Sequence, residues 1–183
     1  MRISSRCMAE SKNVKKQASA GIDPALKSML TDPIHLMSLG FGSGLSPKAP
    51  GTVGTLAALP VVALMHLMPL SWYIGFTLLA ILFGVYACEK TAEELGVHDH
   101  PAIVWDEFSG IMVTCIALPL GLVWIILAFV LFRFFDILKP WPISAIDRHT
   151  KGGLGIMLDD IIAGLFSLAI LQAIYGLTVL LGS

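Results

Sequence analysis

Residues 106–139 read DEFSGIMVTCIALPLGLVWIILAFVLFRFFDILK and combine a long apolar run, from 110 to 132, with charged residues at both of its ends. A run of that length is close to the roughly 20 residues that a transmembrane helix needs. Its middle contains Pro119-Leu-Gly121, and a proline inside a helix removes a backbone hydrogen bond and bends or ends the helix. The stretch therefore predicts two short apolar helices joined by a break at Pro119–Gly121.

The composition of the whole chain is that of a membrane protein. Of its 183 residues, 56% are hydrophobic and 14% are charged, and the mean hydropathy is +0.80. A soluble domain has about 25% charged residues. The net charge of −1 and the scattered basic residues give no electrostatic reason for binding nucleic acid. We predict an all-α fold, a single-domain helical membrane protein with helical hairpins.

Three further apolar blocks lie at about residues 54–70, 72–88 and 161–181. Pro60 interrupts the first block, whereas the last is long and unbroken. Residues 1–30 are basic and lack the apolar core of a cleaved signal peptide, so we predict a flexible basic tail. Residues 31–183 form the predicted membrane domain.

Charge counting predicts how the blocks cross the bilayer. The N-terminal tail and the loop at 133–159 are both basic and should both face the cytoplasm. Three simple spans between them would place them on opposite sides, so one block must not cross. We favour the run 110–132, re-entrant at Pro119–Gly121, because this brings the charged motifs to one face. The alternative is that 54–70 is re-entrant and the loop 89–109 lies outside.

The segment GFGSGLSPKAPGTVGT at 40–55 is rich in glycine and proline and leads into an apolar helix. Free N–H groups at a helix start attract anions, so a phosphate is expected near Gly51, Thr52 and Thr55, with Lys48 as a point charge. The alternative is a turn in which Thr52 or Thr55 caps the helix.

Two acidic doublets lie beside apolar helices. Asp106 and Glu107 begin the broken run, where acidic residues often only complement the helix dipole. In GGLGIMLDDIIAG at 152–164, Asp159 and Asp160 precede the last block, and small residues nearby allow another helix to come close. Helix capping is the alternative for both doublets.

A third charged motif, FRFFDILKPWP at 132–142, places Arg133, Asp136 and Lys139 at steps of three. On a helix these residues share one face, so a local Arg–Asp ion pair is the simplest interpretation. Because Lys139 precedes Pro140, the helix should stop there, and cations at that point can bind a phosphate ester.

The motifs are more informative together than singly. Five carboxylates on one membrane face would repel each other unless a cation neutralised them; they are Asp106, Glu107, Asp136, Asp159 and Asp160. Oxygen ligands favour a hard ion such as Mg²⁺, which binds through carboxylates and phosphate oxygens. The pattern indicates phosphoryl chemistry at the membrane surface.

The four motifs GFGSGLSPKAPGTVGTLAALP, GVHDHPAIVWDEFSG, FRFFDILKPWPI and GGLGIMLDDIIAG together resemble the phosphatidylglycerophosphatase A family, in its order and spacing, over about residues 32–170. The resemblance implies a Mg²⁺-dependent phosphatase of the bacterial inner membrane with its active site facing the cytoplasm. Its substrate would be the lipid phosphatidylglycerophosphate, and its products phosphatidylglycerol and inorganic phosphate.

The resemblance also implies roles for residues of this chain. It assigns catalysis to Asp106, Glu107, Asp136, Asp159 and Asp160. It assigns metal binding to Asp106, Glu107, Asp159 and Asp160. It assigns phosphate binding to Lys48, Arg133 and Lys139, in addition to Gly51, Thr52 and Thr55, which the helix start already suggests.

Two other classes of membrane protein share some of these features. A small transporter needs polar groups near the bilayer centre, and the blocks 72–88 and 161–181 supply only Gln172 and hydroxyl groups. A CDP-alcohol phosphotransferase combines Asp clusters with Mg²⁺, but its motif continues with Ala-Arg and further aspartates, which are absent after Gly164.

Overall fold

The computed structural model describes residues 24–97, 100–144 and 150–182, and all regular structure within these ranges is helical. Its elements are α1 (Pro24–Met29), α2 (Pro33–Ser38), a 3-10 helix (Gly40–Leu45), α3 (Pro50–Met65), α4 (Leu70–Leu95), α5 (Trp105–Thr114), α6 (Leu122–Leu138) and α7 (Gly152–Gly182). The predicted all-helical fold is confirmed.

Helix α5 forms the centre of the molecule and packs mainly against α7, α3 and α4. Its residues from Phe108 to Thr114 are all buried, and Trp105 is buried too. This part of α5 is therefore surrounded by other parts of the protein, as expected for a helix segment of the interior. The first turn of α5, which carries Asp106 and Glu107, is therefore held by packing on several sides.

The predicted break in the third apolar block is confirmed, because α5 ends at Thr114 and α6 begins at Leu122. Two polar side chains satisfy carbonyl groups around this break. Gln172 Nε2 donates to the Ile116 carbonyl at 2.9 Å, and the Tyr73 hydroxyl donates to the Met112 carbonyl at 2.8 Å. Irregular backbone survives at membrane depth only where protein satisfies it. The re-entrant path itself stays a prediction.

Helices α4 and α7 have 26 and 31 residues, so they are long and apolar enough to cross a membrane. Both expose large apolar side chains, such as Leu79 and Leu82 on α4 and Leu180 on α7. Helix α3 is apolar but shorter, with 16 residues. Exposed apolar surface on such helices is typical of association with a membrane.

Two predicted helix boundaries were wrong. Helix α3 continues through Pro60, where the sequence predicts an interruption. Helix α7 begins at Gly152, so Asp159 and Asp160 lie about two turns inside it, and they cannot cap its start. The early start depends on tertiary packing, since a Cβ at Gly153 would lie 1.8 Å from the Val85 carbonyl oxygen on α4.

The N-terminal prediction concerns residues 1–30, of which 1–23 lie outside the described residues. Within the remainder, Leu26 and Met29 of α1 are buried in a small apolar cluster with Leu39 and Ala102. The flexible tail therefore stays a prediction for the residues before α1.

A buried histidine joins α2 to α4. His35 Nδ1 lies 2.9 Å from Thr91 Oγ1, and His35 Nε2 lies 2.8 Å from Glu94 Oε2. At the end of α2, the Ser38 carbonyl accepts a hydrogen bond from Val104 N at 3.0 Å. The anchored helix α2 thus helps to position the residue that precedes α5.

Candidate active site

One cavity of about 460 Å³ collects most of the charged residues that the sequence singles out. The predicted site residues that line it are Gly51, Asp106, Glu107, Arg133, Asp136, Lys139, Asp159 and Asp160. They come from the starts of α3 and α5, the end of α6 and the first half of α7. The structure therefore brings all five predicted carboxylates to one cavity.

Three of the carboxylates form a tight cluster. One oxygen atom from each of Asp106, Glu107 and Asp160 lies within 4.8 Å of the other two. Among the described residues, the buried atoms Glu107 Oε2 and Asp160 Oδ2 have no hydrogen-bond partner. Buried carboxylate oxygens are costly unless they are paired or coordinate a metal. The cluster therefore offers oxygen ligands for a hard cation, and such a cation would neutralise the negative charge of the carboxylates.

The surroundings of Glu107 favour its protonated form when no cation is present. Burial raises the pKa of Glu107 to about 8, and the nearby Asp160 and Asp136 also raise it. Hydrogen bonding from Asp106 and the charge of Arg133 act in the opposite direction. A cation beside Glu107 would favour the ionised form.

The other two carboxylates form ion pairs with cations from the end of α6. Arg133 Nη1 contacts Asp136 Oδ2 one turn further along the helix, and it also lies 3.7 Å from Glu107 Oε1. Lys139 Nζ donates to Asp159 Oδ2 at 2.5 Å. The Arg–Asp pair that the sequence pattern suggested is confirmed, and both cations line the cavity.

The backbone at Lys139 places its side chain at the cavity. Lys139 is the C-cap of α6 and has a left-handed conformation with φ 40°. The predicted end of the helix before Pro140 is thereby confirmed. A non-glycine residue rarely adopts positive φ, and such residues are often found at functional sites.

Gly51 allows α3 to approach the acidic cluster closely. A Cβ atom at this position would lie 2.1 Å from Glu107 Oε1 and 3.1 Å from Arg133 Nη1. Any side chain at Gly51 would therefore have to displace Glu107. The first turn of α3 lies at the cavity through Pro50 and Gly51, and a helix N-terminus attracts anions.

Three predicted phosphate ligands do not line the described cavity. Lys48 is exposed, and Thr52 is half-buried on α3. Thr55 is buried and donates to the Gly51 carbonyl at 2.8 Å. The alternative of a threonine cap is wrong, because the N-cap is Ala49 and no side chain bonds there. The phosphate-binding roles of Lys48, Thr52 and Thr55 stay predictions.

Sequence reasoning missed several residues of the cavity wall, including Ile137, Thr150 and Gly155. Ile137 belongs to the same motif as Arg133, so helical spacing could have identified it. Thr150 lies two residues before the glycine-rich start of α7 and carries a hydroxyl group, but its sequence context gives no further signal.

Comparisons with known proteins agree with the geometry. A family profile described as phosphatidylglycerophosphatase A matches residues 36–175. A protein of Escherichia coli K12 named phosphatidylglycerophosphatase A is 51% identical over 146 residues, which are 79% of this chain and 85% of that protein. A protein of Haemophilus influenzae Rd with the same name is 47% identical over 154 residues, which are 83% of this chain and 94% of that protein. No solved structure matches the chain.

Proposed function

The chain belongs to the phosphatidylglycerophosphatase A family, and from this premise we propose that it hydrolyses phosphatidylglycerophosphate to phosphatidylglycerol and inorganic phosphate. The observation that supports this most strongly is the cavity in which a carboxylate cluster faces Arg133 and Lys139. A phosphate ester needs both kinds of group, because its oxygens bind cations and its hydrolysis requires a base. Apolar helices beside the cavity suit a lipid substrate.

We assign Mg²⁺ binding to Asp106, Glu107 and Asp160. These residues fit the ion because their oxygens converge and because buried atoms of Glu107 and Asp160 lack partners among the described residues. When bound, Mg²⁺ supplies positive charge to phosphate oxygens and lowers the pKa of water. The sequence also predicts Asp159 as a ligand, but its contact with Lys139 supports a role in orienting that cation.

We assign phosphate binding to Arg133 and Lys139, with support from Gly51 at the start of α3. In the described part of the chain, Arg133 Nε is buried without a hydrogen-bond partner and is thus available as a donor. The ion pairs with Asp136 and Asp159 hold the two cations at the cavity in the absence of substrate. A planar guanidinium can bind two phosphate oxygens, whereas lysine acts as a point charge.

Hydrolysis forms a bond between a water oxygen and phosphorus and breaks the bond between phosphorus and the ester oxygen. A carboxylate of the cavity accepts the proton of the attacking water, and the departing ester oxygen receives a proton to become the hydroxyl of phosphatidylglycerol. The five carboxylates that line the cavity are the candidates for this base. Attack by an aspartate to form a phospho-aspartyl intermediate is the alternative chemistry.

We further propose that the protein is a multi-pass protein of the bacterial inner membrane and that the cavity faces the cytoplasm. The two long apolar helices α4 and α7 support membrane insertion. The basic tail at residues 1–30 and the basic residues Arg133, Lys139 and Lys151, at the end of α6 and just before α7, support a cytoplasmic location for the end of the molecule that holds the cavity.

Phosphate release from phosphatidylglycerophosphate in detergent micelles tests the activity. We expect release with Mg²⁺ and loss of release with EDTA. A suitable control variant is Glu93→Gln, since Glu93 is an exposed carboxylate of α4 outside the cavity. Equal release with Mg²⁺ and with EDTA would contradict the metal assignment, and no release under either condition would contradict the function.

A further inference from the structure

Helix α6 carries a continuous apolar stripe on its outer surface. Its members are Val123, Ile126, Val130, Phe134 and Ile137, and each is more than half exposed. They follow each other at steps of three and four, so they lie along one face of the helix. The stripe covers 14 residue steps, which correspond to about 21 Å at 1.5 Å per residue.

The stripe is continuous with the cavity through one residue. Of the three isoleucines in the cavity wall, Ile103 and Ile156 are buried, whereas Ile137 is 66% exposed. Ile137 lies one turn after Arg133 and two residues before Lys139. The end of α6 that presents both cations to the cavity therefore also presents apolar surface that leads out of it.

We propose that the α6 stripe is the track along which the acyl chains of the lipid substrate lie while its phosphate occupies the cavity. The inference rests on the proposed function and adds the route of the chains. An amphiphile whose phosphate binds Arg133 and Lys139 must direct its apolar part over adjoining apolar surface, and Ile137 begins that surface.

Helix α4 provides the matched comparison. It has an apolar outer face of its own, including Leu79, which is 63% exposed. However, α4 supplies none of the described residues that line the cavity. Bulk lipid can cover both faces, but only the stripe on α6 adjoins the cavity, so a lipid held there by its phosphate can reach the α6 stripe and not the face of α4.

Photo-crosslinking can distinguish a lipid held by its phosphate in the cavity from bulk lipid on the surface of the protein. The probes are a non-hydrolysable phosphonate analogue of phosphatidylglycerophosphate and phosphatidylglycerol, each with a diazirine in one acyl chain. The protein is irradiated in detergent with Mg²⁺, and labelled residues are mapped by mass spectrometry. We expect the phosphonate to label α6 at Val130, Phe134 or Ile137 at least about fivefold more than phosphatidylglycerol does, which corresponds to a preference of about 1 kcal/mol. Labelling at Leu79 on α4 should be the same for both probes.

Equal labelling of the α6 stripe by the two probes would overturn the inference, because it would mean that bulk lipid covers this face. A second measurement uses Ile137→Trp, which narrows the exit from the cavity, and Leu79→Trp as its control. The first variant should lower the ratio of kcat/KM for the lipid to that for its deacylated headgroup by about tenfold. An unchanged ratio would also contradict the track. If the wild type released no phosphate at all, the proposed function would fail instead.

Discussion

Asp159 and Asp160 are adjacent on the same helix, yet their environments differ. Both are buried, with 7% and 3% of their surface exposed. Asp159 accepts a hydrogen bond from Lys139, whereas Asp160 joins Asp106 and Glu107 in a cluster of carboxylates. Consecutive residues of an α-helix point about 100° apart, so one doublet can serve two purposes. Its first member faces a cation of the protein, and its second faces the proposed metal site.

The difference separates the acidic residues of the cavity into two groups. The ion-paired group, Asp136 and Asp159, already has its countercharge in Arg133 and Lys139. The clustered group includes Glu107 and Asp160, which bury oxygen atoms without partners among the described residues. Substitutions in the two groups should therefore have different consequences.

The largest effect is expected for Asp160→Asn. Removing this charge should lower kcat by about 10²–10³-fold, a loss of the size seen when an electrostatic group of a catalytic site is removed. The measurement is phosphate release at saturating Mg²⁺, with circular dichroism as a check of the fold. Turnover within threefold of wild type would remove Asp160 from the proposed metal site.

A smaller effect is expected from Lys139→Met, which removes a phosphate-binding cation. We expect kcat/KM to fall about 10–100-fold, the equivalent of a charged hydrogen bond. Asp159→Asn should be less harmful in the Lys139→Met background than alone, because the residue that it orients is then missing. Additive effects in this double-mutant cycle would argue that Asp159 acts independently of Lys139.

Much of this arrangement could be predicted from the sequence. Pro119–Gly121 correctly divides the third apolar block, and Pro140 correctly marks the end of α6. Both signals are local, because a proline has no N–H to donate within a helix, although α3 shows at Pro60 that a helix can continue through one. A different local signal correctly placed Asp106 and Glu107 at a helix start, because the apolar periodicity of α5 begins beside them.

The different environments of Asp159 and Asp160 could not be predicted, because they depend on distant contacts. Glycine is a poor helix former, so the sequence GGLG does not by itself favour a helix start at Gly152. The structure is helical there, and Gly153 packs so closely against the Val85 carbonyl on α4 that a Cβ atom would not fit. Sequence also gave no sign that Thr55 would satisfy its hydroxyl within α3, at the Gly51 carbonyl.

Gly51→Ala should have an effect of intermediate size. The added Cβ would lie 2.1 Å from Glu107 Oε1, so Glu107 or the start of α3 must shift. We expect about a tenfold loss of kcat, as for a misplaced catalytic group. Gly75→Ala is the control, since a Cβ at Gly75 on α4 meets nothing within 4 Å. Equal activity of the two variants would show that close approach at Gly51 is not required.

The smallest effect is expected for Lys48→Ala. Lys48 is exposed and does not line the cavity, so its charge should be largely screened by solvent. We expect kcat/KM to change by less than about threefold, in line with a weak surface interaction. A loss as large as that of Lys139→Met would instead place Lys48 on the substrate and support the sequence-based assignment.

The most direct test of the difference between the two aspartates is thermal unfolding of the wild type, Asp160→Asn and Asp159→Asn in detergent, first with EDTA and then with Mg²⁺. Binding to the folded state alone stabilises a protein by about 2.7 kcal/mol at 100 times Kd, so wild-type Tm should rise with Mg²⁺. We expect Asp160→Asn to be at least as stable as wild type in EDTA, because a neutral amide replaces a buried carboxyl group that then has no countercharge, and to lose the Mg²⁺-dependent rise. Asp159→Asn should be less stable in EDTA, because Lys139 loses its partner, and should keep the rise. A full Mg²⁺-dependent rise in Asp160→Asn, or its loss in Asp159→Asn, would contradict the assignment of the metal to Asp106, Glu107 and Asp160.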